Sequence, residues 1–372
     1  YGFSMLDSTA GRDIVPPEDE GDVEWLSEGL KIRMTLDELR EWSDSMGMEF
    51  SMPDSAMEEW EKLPEEIKTL VTRAIVAHVA SRKWVREAYD EEFLMDYFGV
   101  EEVGEISMER LYALASAPWQ DEIAGPSPRE SFELLERIDF GYLSYGSTLY
   151  LNLMRWAIDV YRDGEHDLNL SGFEGCEFLV GGEYVGIFGD RADGIDGEYS
   201  LVVDLGGNDD YSGTIATPGS LELPVSTVID LGGNDTYETE LNASLACGNH
   251  GIGAIFDLSG NDIYKSANSG IGCAWYGTGL VVDYSGDDSY STEGDWGQGA
   301  SHAGVGMLID LVGDDDYYCL GQSQAFGSTY GVGVLFDSSG NDNYLADLEG
   351  HMGTAFGDHT VSFAQGTGFG RR

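Results

Sequence analysis

The stretch DLSGNDIY at residues 257–264 decides the fold, because close copies of it recur along the chain. Every copy has Asp first, Gly fourth, Asn or Asp fifth, Asp sixth and Tyr eighth, and successive copies start 26, 27, 26, 27 and 27 residues apart. Such a period is typical of a solenoid, in which each repeat forms one coil and equivalent residues stack. The six copies start at Asp204, Asp230, Asp257, Asp283, Asp310 and Asp337.

Stacking would place carboxylates in columns whose charge must be neutralised. Coils of a parallel β-solenoid lie about 4.8 Å apart, and two unit charges at that distance repel by about 3.5 kcal/mol at an effective dielectric constant of about 20. From residue 166 to 372 the chain has 32 acidic residues and only four basic ones, Arg191, Lys265, Arg371 and Arg372.

Hard cations are the natural remedy for this repulsion. Ca²⁺ accepts six to eight oxygen ligands in flexible geometry, whereas Mg²⁺ demands a tighter octahedron. We therefore predict several Ca²⁺ ions, bound by the first and sixth Asp of each copy: Asp204, Asp209, Asp230, Asp235, Asp257, Asp262, Asp283, Asp288, Asp310, Asp315, Asp337 and Asp342.

The Gly-Asn-Asp-x-Tyr core, as in Gly207–Tyr211 and Gly260–Tyr264, resembles the repeat of the RTX calcium-binding β-roll. The Asp of that core is a calcium ligand in RTX proteins, so the resemblance implies the same role for the sixth Asp. RTX repeats are nine residues long, whereas this longer period leaves room for about three strands and three corners in each coil. The layout of a helical region followed by such coils is also similar to a family of secreted prokaryotic proteins without an assigned activity.

A second interpretation of the acidic motif needs no metal. Asp and Asn in glycine-rich turns often hydrogen-bond their own backbone, and a ladder of such turns could be held by amides and water. The scarcity of basic residues favours calcium, but both interpretations stay open at this stage.

The rest of each repeat predicts a β-coil with atypical ends. An apolar segment such as Leu280–Val282 precedes each first Asp and predicts a strand that enters the turn, and the eighth-position Tyr predicts a column of stacked rings. Residues 178–200 are similar to a degenerate first coil. At Ala364, one period after Asp337, the acidic turn is missing, which predicts an atypical last coil, and the nearly uncharged tail Ser362–Gly370 is suited to docking on another subunit.

Composition narrows the partners and the compartment. The net charge is −50, which argues against binding to nucleic acid or to anionic membranes, and the chain has no apolar stretch long enough for a membrane span. We expect a secreted or cell-surface protein, because Tyr1 is not Met and calcium is abundant outside cells. Cys247 and Cys273 occupy equivalent positions in adjacent coils and are disulfide candidates, whereas Cys176 and Cys319 have no evident partner.

The N-terminal third predicts an extended arm at residues 1–22 and an all-α domain at residues 23–165, followed by the solenoid at residues 166–372, so the fold class is α+β multidomain. A capping box at Thr35 opens the first helix, and a long helix follows Pro64 and extends toward Tyr97. Shorter helices are predicted at Ser107–Ala117 and Ser131–Arg137, and a last one at Leu143–Arg162. His78 is interpreted as a core or boundary residue rather than as a ligand.

No catalytic residues are predicted. The chain has no HExxH or Ser–His–Asp signature, and the solenoid histidines share no column. We expect a secreted, calcium-stabilised structural protein that self-assembles into a surface layer, sheath or filament. The alternatives are a secreted β-helix glycoside hydrolase, which needs only two carboxylates, and a calcium-dependent adhesin that binds cell-surface glycans.

Overall fold

A computed structural model describes residues 35–119, 125–162, 169–197 and 199–346, and the backbone of residues 354–356 and 359–361. The predicted arm at residues 1–22 and the predicted last coil around Ala364 lie outside these residues. The chain forms two compact units that interleave along the sequence. The helical unit comprises residues through Glu91 and Arg137–Gly186, and the solenoid unit comprises Glu92–Glu136 and the chain from Ile187 onward.

Within the described residues seven α-helices precede the solenoid, so the predicted α+β class is confirmed. The Thr35 hydroxyl accepts a hydrogen bond from the Glu38 amide while the Glu38 carboxylate accepts one from the Thr35 amide, which forms the predicted capping box. A second capping box, between Ser127 and Glu130, starts a helix three residues earlier than predicted. The helices are α1 (Leu36–Ser45), α2 (Asp54–Trp60), α3 (Glu65–Glu87), α4 (Glu91–Phe98), α5 (Met108–Ser116), α6 (Pro128–Leu135) and α7 (Phe140–Arg162).

The long helix predicted after Pro64 is interrupted where α3 ends. The Ala88 amide bonds Val85 O, and the Ala88 carbonyl accepts a hydrogen bond from the Asp139 amide at 2.9 Å, which removes it from any helical ladder. Within the helical unit α3 packs along α7. His78 of α3 is fully buried, and its Nδ1 lies 3.1 Å from Oε2 of Glu183. The prediction of a core histidine is therefore confirmed.

The strands are short and recur at the period of the sequence repeat. They are β1 (Phe50–Ser51), β2 (Cys176–Val180), β3 (Glu183–Phe188), β4 (Gly194–Asp196), β5 (Leu201–Asp204), β6 (Asp210–Ser212), β7 (Val225–Asp230), β8 (Thr236–Asn242), β9 (Gly248–Asn249), β10 (Ile252–Asp257), β11 (Ile263–Asn268), β12 (Ala274–Trp275), β13 (Thr278–Asp283), β14 (Ser289–Asp295), β15 (Ser301–His302), β16 (Val305–Asp310), β17 (Asp316–Gly321), β18 (Val332–Asp337), β19 (Asn343–Ala346), β20 (Thr354–Phe356) and β21 (His359–Val361).

The solenoid unit is a parallel β-solenoid with three sheets along its length. Strands β5, β7, β10, β13, β16 and β18 lie side by side in one sheet, and each ends at a first-position Asp. The second sheet has the order β19-β17-β14-β11-β8-β6-β4 and carries the Tyr column, and β9, β12 and β15 form the third. Asp257 pairs with Asp230 on one side and Asp283 on the other, so motif residues stack as the period predicts.

The solenoid core consists of files of identical or similar side chains. The rings of Tyr237 and Tyr264 stack at 4.7 Å between centroids and within 1° of parallel, and the file continues from Tyr211 to Tyr344. An aliphatic file beside it includes Val228, Ile255 and Val281, all buried. These files remove apolar surface from water at every step, so most of the hydrophobic stabilisation is inter-coil.

The coil before Asp204 is degenerate, as predicted. Ile195 pairs in register with Tyr211 and Gly194 with Asp210, which places Asp193 beneath Asp209. This coil therefore keeps the sixth-position Asp but has Ile195 where the other coils have Tyr.

A helical segment of the solenoid unit covers the third sheet. Tyr112 of α5 donates or accepts a hydrogen bond with Ser269 at 2.9 Å, and Trp119 meets Trp296 and Phe326 edge to face. These aromatic side chains close the side of the solenoid whose strands are only two residues long.

Candidate metal centre

The coil registers bring the predicted aspartates together in five groups of three. In each group the first Asp and the sixth Asp of one coil meet the first Asp of the next, with one ligand oxygen from each lying within 4.8 Å of the others. The groups are Asp204/Asp209/Asp230, Asp230/Asp235/Asp257, Asp257/Asp262/Asp283, Asp283/Asp288/Asp310 and Asp310/Asp315/Asp337. Asp342, the twelfth predicted ligand, joins no such group within the described residues.

Asp230, Asp257 and Asp283 are each fixed by one backbone and one side-chain donor, whereas the buried Oδ1 of Asp310 has no hydrogen-bond partner within the described residues. Oδ1 of Asp257 accepts a hydrogen bond from the Ser259 amide at 3.2 Å, which is the Asx-type turn bond considered in the sequence. Oδ2 of Asp257 accepts one from the hydroxyl of Tyr237, in the preceding coil, at 2.7 Å. The same inter-coil bond joins Tyr211 to Asp230, Tyr264 to Asp283 and Tyr290 to Asp310.

The sixth-position aspartates are only half satisfied. Oδ1 of Asp262 accepts a hydrogen bond from the Asp235 amide in the preceding coil at 2.6 Å, and this bond also recurs along the column. The side chain is buried, yet Oδ2 has no hydrogen-bond partner within the described residues. The same holds for Oδ2 of Asp209, Asp235, Asp288 and Asp315.

An orphaned oxygen also marks the start of the ladder. Oδ2 of Asp204 is buried and has no hydrogen-bond partner among the described residues. The cause lies in the degenerate coil beneath it, where Ile195 replaces the Tyr whose hydroxyl would donate. Buried polar atoms of this kind are costly unless something compensates them.

The fourth-position glycine is required by the sixth-position carboxylate. A Cβ added to Gly260 would lie 2.6 Å from both carboxylate oxygens of Asp262, and it would also overlap the carbonyl of Gly233. The carboxylate therefore occupies the space that a side chain at position four would fill. The same conflict recurs at Gly233 and Gly286.

Burial and mutual repulsion make these carboxyl groups hard to ionise. Burial, opposed by the hydrogen bond from the Asp235 amide and reinforced by the charge of Asp283, raises the pKa of Asp262 to about 8. Burial raises the pKa of Asp235 to about 7 and of Asp288 to about 8. Burial and the charge of Asp230 raise the pKa of Asp204 to about 9. Each coil must therefore bind protons or a cation.

The donor set fits a hard cation. All donors are carboxylate oxygens, and a spacing of up to 4.8 Å is about twice the Ca–O distance of about 2.4 Å, so one ion could reach all three. The orphaned Oδ2 atoms are the part of the site that turn hydrogen bonds leave unexplained. The eleven aspartates of the five groups would hold the calcium ions.

The fifth-position side chains form a separate, exposed ladder. Oδ1 of Asn234 accepts a hydrogen bond from the Asn261 amide at 2.8 Å, and Oδ1 of Asp287 accepts one from the Asp314 amide at 3.0 Å. Here a backbone amide of the next coil satisfies the oxygen without a metal. The fifth-position and sixth-position columns thus differ in how their side-chain oxygens are satisfied, although both contain Asp.

The two disulfide candidates lie side by side. The Sγ atoms of Cys247 and Cys273 are 3.0 Å apart and buried, and none of the four cysteines, all within the described residues, forms a disulfide in the structure. The stacking of these two residues is as predicted, whereas the covalent bond stays a prediction. Burial raises the pKa of Cys176 and of Cys319 to about 12, so neither is a reactive thiol.

Within the described residues, the solenoid histidines His250 and His302 do not share a register position. His302 pairs in register with Trp275, whose other neighbour is Asn249 rather than His250. Burial lowers the pKa of His250 to about 3 and of His302 to about 4, so both are neutral at ordinary pH.

Sequence reasoning missed the second half of the tyrosine's role. The eighth-position Tyr was expected to stack, but the hydroxyls of Tyr211, Tyr237, Tyr264 and Tyr290 also donate to the first-position Asp of the next coil. The hydroxyl of Tyr317 has no hydrogen-bond partner within the described residues. The signal was present, because a column that only needed stacking could have used Phe, whereas all six copies have Tyr. The aromatic cluster of Trp119, Trp275 and Trp296 was also missed, since its members lie far apart in the chain.

Comparison of the chain with protein-family models, with curated proteins and with solved structures found no significant match. Among the helices of the described residues, none combines the length and the apolar character that crossing a bilayer requires.

Proposed function

We propose that this chain is a secreted, calcium-stabilised structural protein whose solenoid is held together by divalent ions between its coils. The observation that carries the proposal is the row of buried aspartate triplets in which one carboxylate oxygen of each sixth-position Asp has no partner. The sixth-position carboxyl groups of five coils have raised pKa values, so ionising them at neutral pH would oppose folding unless cations compensate their charge. They belong to Asp209, Asp235, Asp262, Asp288 and Asp315. Millimolar calcium outside the cell would supply those cations.

The experiment compares melting temperatures with and without calcium. The double variant Asp262→Asn/Asp288→Asn should melt lower than the wild type in millimolar calcium, because two triplets lose a charged ligand. In chelator it should melt at the same temperature or higher, because the substitution also removes buried charge.

A matched control is Asp287→Asn, at the exposed fifth position. Asn already occupies that position in the neighbouring coil, and its Oδ1 can accept the same amide hydrogen bond. This variant should melt like the wild type in both conditions. Equal losses for the double variant in calcium and in chelator would refute a metal role at those coils.

Self-association is the second part of the proposal, and it rests on the exposed surface of the last described coil. Tyr330, Phe336 and Leu345 are 72%, 49% and 59% exposed, and β18 has a neighbour on one side only within the described sheet. An open strand edge with apolar side chains is a template for pairing with another chain. Negative-stain images at millimolar calcium should show layers or filaments, and dispersed monomers would contradict this part alone.

A further inference from the structure

We infer that the solenoid binds its divalent ions as a single file of five, in which neighbouring ions share a first-position carboxylate. This inference rests on the proposed calcium role and specifies the stoichiometry and coupling of the same site. Independent surface sites, each with its own ligands, are the arrangement it excludes.

The sharing follows from the membership of the triplets. Asp257 belongs both to the triplet with Asp235 and to the triplet with Asp262, and Asp283 likewise belongs to two. Asp204, at the start of the column, belongs to only one triplet, and each sixth-position Asp such as Asp262 also belongs to only one. Each first-position Asp from Asp230 to Asp310 thus lies within ligand reach of two successive inter-coil spaces.

Charge balance sets the number and the valence of the ions. The five triplets contain eleven different aspartates, and each added coil contributes two carboxylates and one inter-coil space. One divalent ion for each space gives ten positive charges against eleven negative ones. Monovalent ions would leave most of the buried charge uncompensated, and trivalent ions would exceed it.

Sharing also lessens the repulsion between the ions. Two divalent ions one coil apart repel four times as strongly as two unit charges at the same distance. When one carboxylate lies between the two ions and binds both of them, its negative charge offsets their repulsion at close range. The hydroxyl of Tyr264 holds Oδ2 of Asp283 at 2.8 Å, which keeps the shared carboxylate in a fixed orientation.

The test counts calcium in the full-length chain and in single Asp→Asn variants. Each protein is passed into buffer with micromolar free calcium, its fold is checked by circular dichroism, and calcium per chain is measured by atomic emission. The wild type should hold about five ions. Asp204→Asn should lose one, and Asp257→Asn should lose two, although both change the same motif position.

Two further variants keep the result interpretable if Asp257→Asn does not fold. Asp262→Asn should lose one ion, because Asp262 belongs to one triplet, and Asp283→Asn should lose two, because Asp283 belongs to two. Asp287→Asn should lose none.

The outcomes separate the inference from the function on which it rests. If Asp204→Asn and Asp257→Asn lose the same number of ions, the shared file is overturned while calcium binding stands. A wild-type count far from five, but above zero, also overturns the file alone. A wild-type chain that binds no calcium refutes the proposed function itself.

Discussion

At the scale of single residues, the tyrosine hydroxyl adds a hydrogen bond between coils inside the solenoid, from the ring of one coil to the first-position Asp of the next. Tyr264 is fully buried and stacks on Tyr237 and Tyr290. Its hydroxyl donates a hydrogen bond to Asp283 of the following coil. The ring supplies apolar burial, and the hydroxyl supplies the donor that a buried carboxylate needs.

Tyr264→Phe should therefore destabilise the protein although the ring stack is retained. The substitution leaves Oδ2 of Asp283 buried without its donor, and the expected cost is about 1–3 kcal/mol in the free energy of unfolding. Urea denaturation measures this cost. Tyr344→Phe is the control, because that ring is 44% exposed and water can replace its hydroxyl. A Tyr264→Phe protein as stable as the wild type would mean that the hydroxyl of Tyr264 contributes nothing.

Gly260→Ala tests the space beside the sixth-position carboxylate. The added methyl group would displace the Asp262 carboxylate and crowd the coil below, with an expected loss of about 1–3 kcal/mol and weaker calcium binding. Gly219→Ala is the control, since a Cβ there meets no atom within 4 Å. Thermal melts of both variants in calcium measure the difference, and a stable Gly260→Ala protein would show that the carboxylate can move without cost.

These residue roles show where sequence reasoning reached its limit. The identity of the ladder aspartates followed from the period alone, because any solenoid of that period must stack Asp257 on Asp230. The separate roles of the two oxygens of Asp262 did not follow, because they depend on which backbone amide of the neighbouring coil points inward.

At the scale of elements, the strand that enters each turn and the Tyr strand that leaves it were predictable. The period also predicted about three strands in each coil, but the position of the third strand was not predictable. Segments such as β10 end in an apolar run before the Asp, a pattern that indicates a buried strand. Strands β9, β12 and β15 are two residues long and lie among glycines and alanines, so they have no periodic pattern. Non-glycine residues with positive φ, such as Ile271 at 51° and Gln298 at 51°, form corners there that composition does not indicate.

The paired cysteines give a prediction at the same scale, because a bond between them would join two coils. Loss of two protons and two electrons to an oxidant would convert the thiols of Cys247 and Cys273 to a disulfide that stabilises the fold by about 3 kcal/mol. Burial and the neighbouring thiol raise the pKa of Cys273, so the reaction is expected before the coils close.

Mass spectrometry of the unreduced, alkylated protein should show the peptides of Cys247 and Cys273 linked, with Cys319 alkylated. Reductant should lower the melting temperature of the wild type but not that of a Cys247→Ala/Cys273→Ala variant. Alkylation of all four cysteines in denaturant without reductant would contradict the bridge.

At the scale of the whole molecule, the proposed calcium role predicts that the buried ladder couples stability to both pH and calcium. Burial raises the pKa of Asp235 and Asp315 to about 7 and that of Asp262 and Asp288 to about 8, against an ordinary value of 3.8. The folded chain therefore holds protons that the unfolded chain has released. Calcium binding must displace those protons, so calcium affinity should rise with pH.

Stability of the metal-free protein should accordingly fall as pH rises from 6.5 to 8. Within that interval the folded state binds more protons than the unfolded state, so the free energy of unfolding decreases with pH. The buried histidines, His250 and His302, act with the opposite sign, but their effect fades above their ordinary pKa of 6.5, so they offset only part of the fall at the lower end of this interval. Urea denaturation in chelator at the two pH values measures the slope, and millimolar calcium should abolish it because ions replace the protons. A metal-free protein equally stable at both pH values would show that the ladder is already ionised without cations, and the physical reason for a calcium file would disappear.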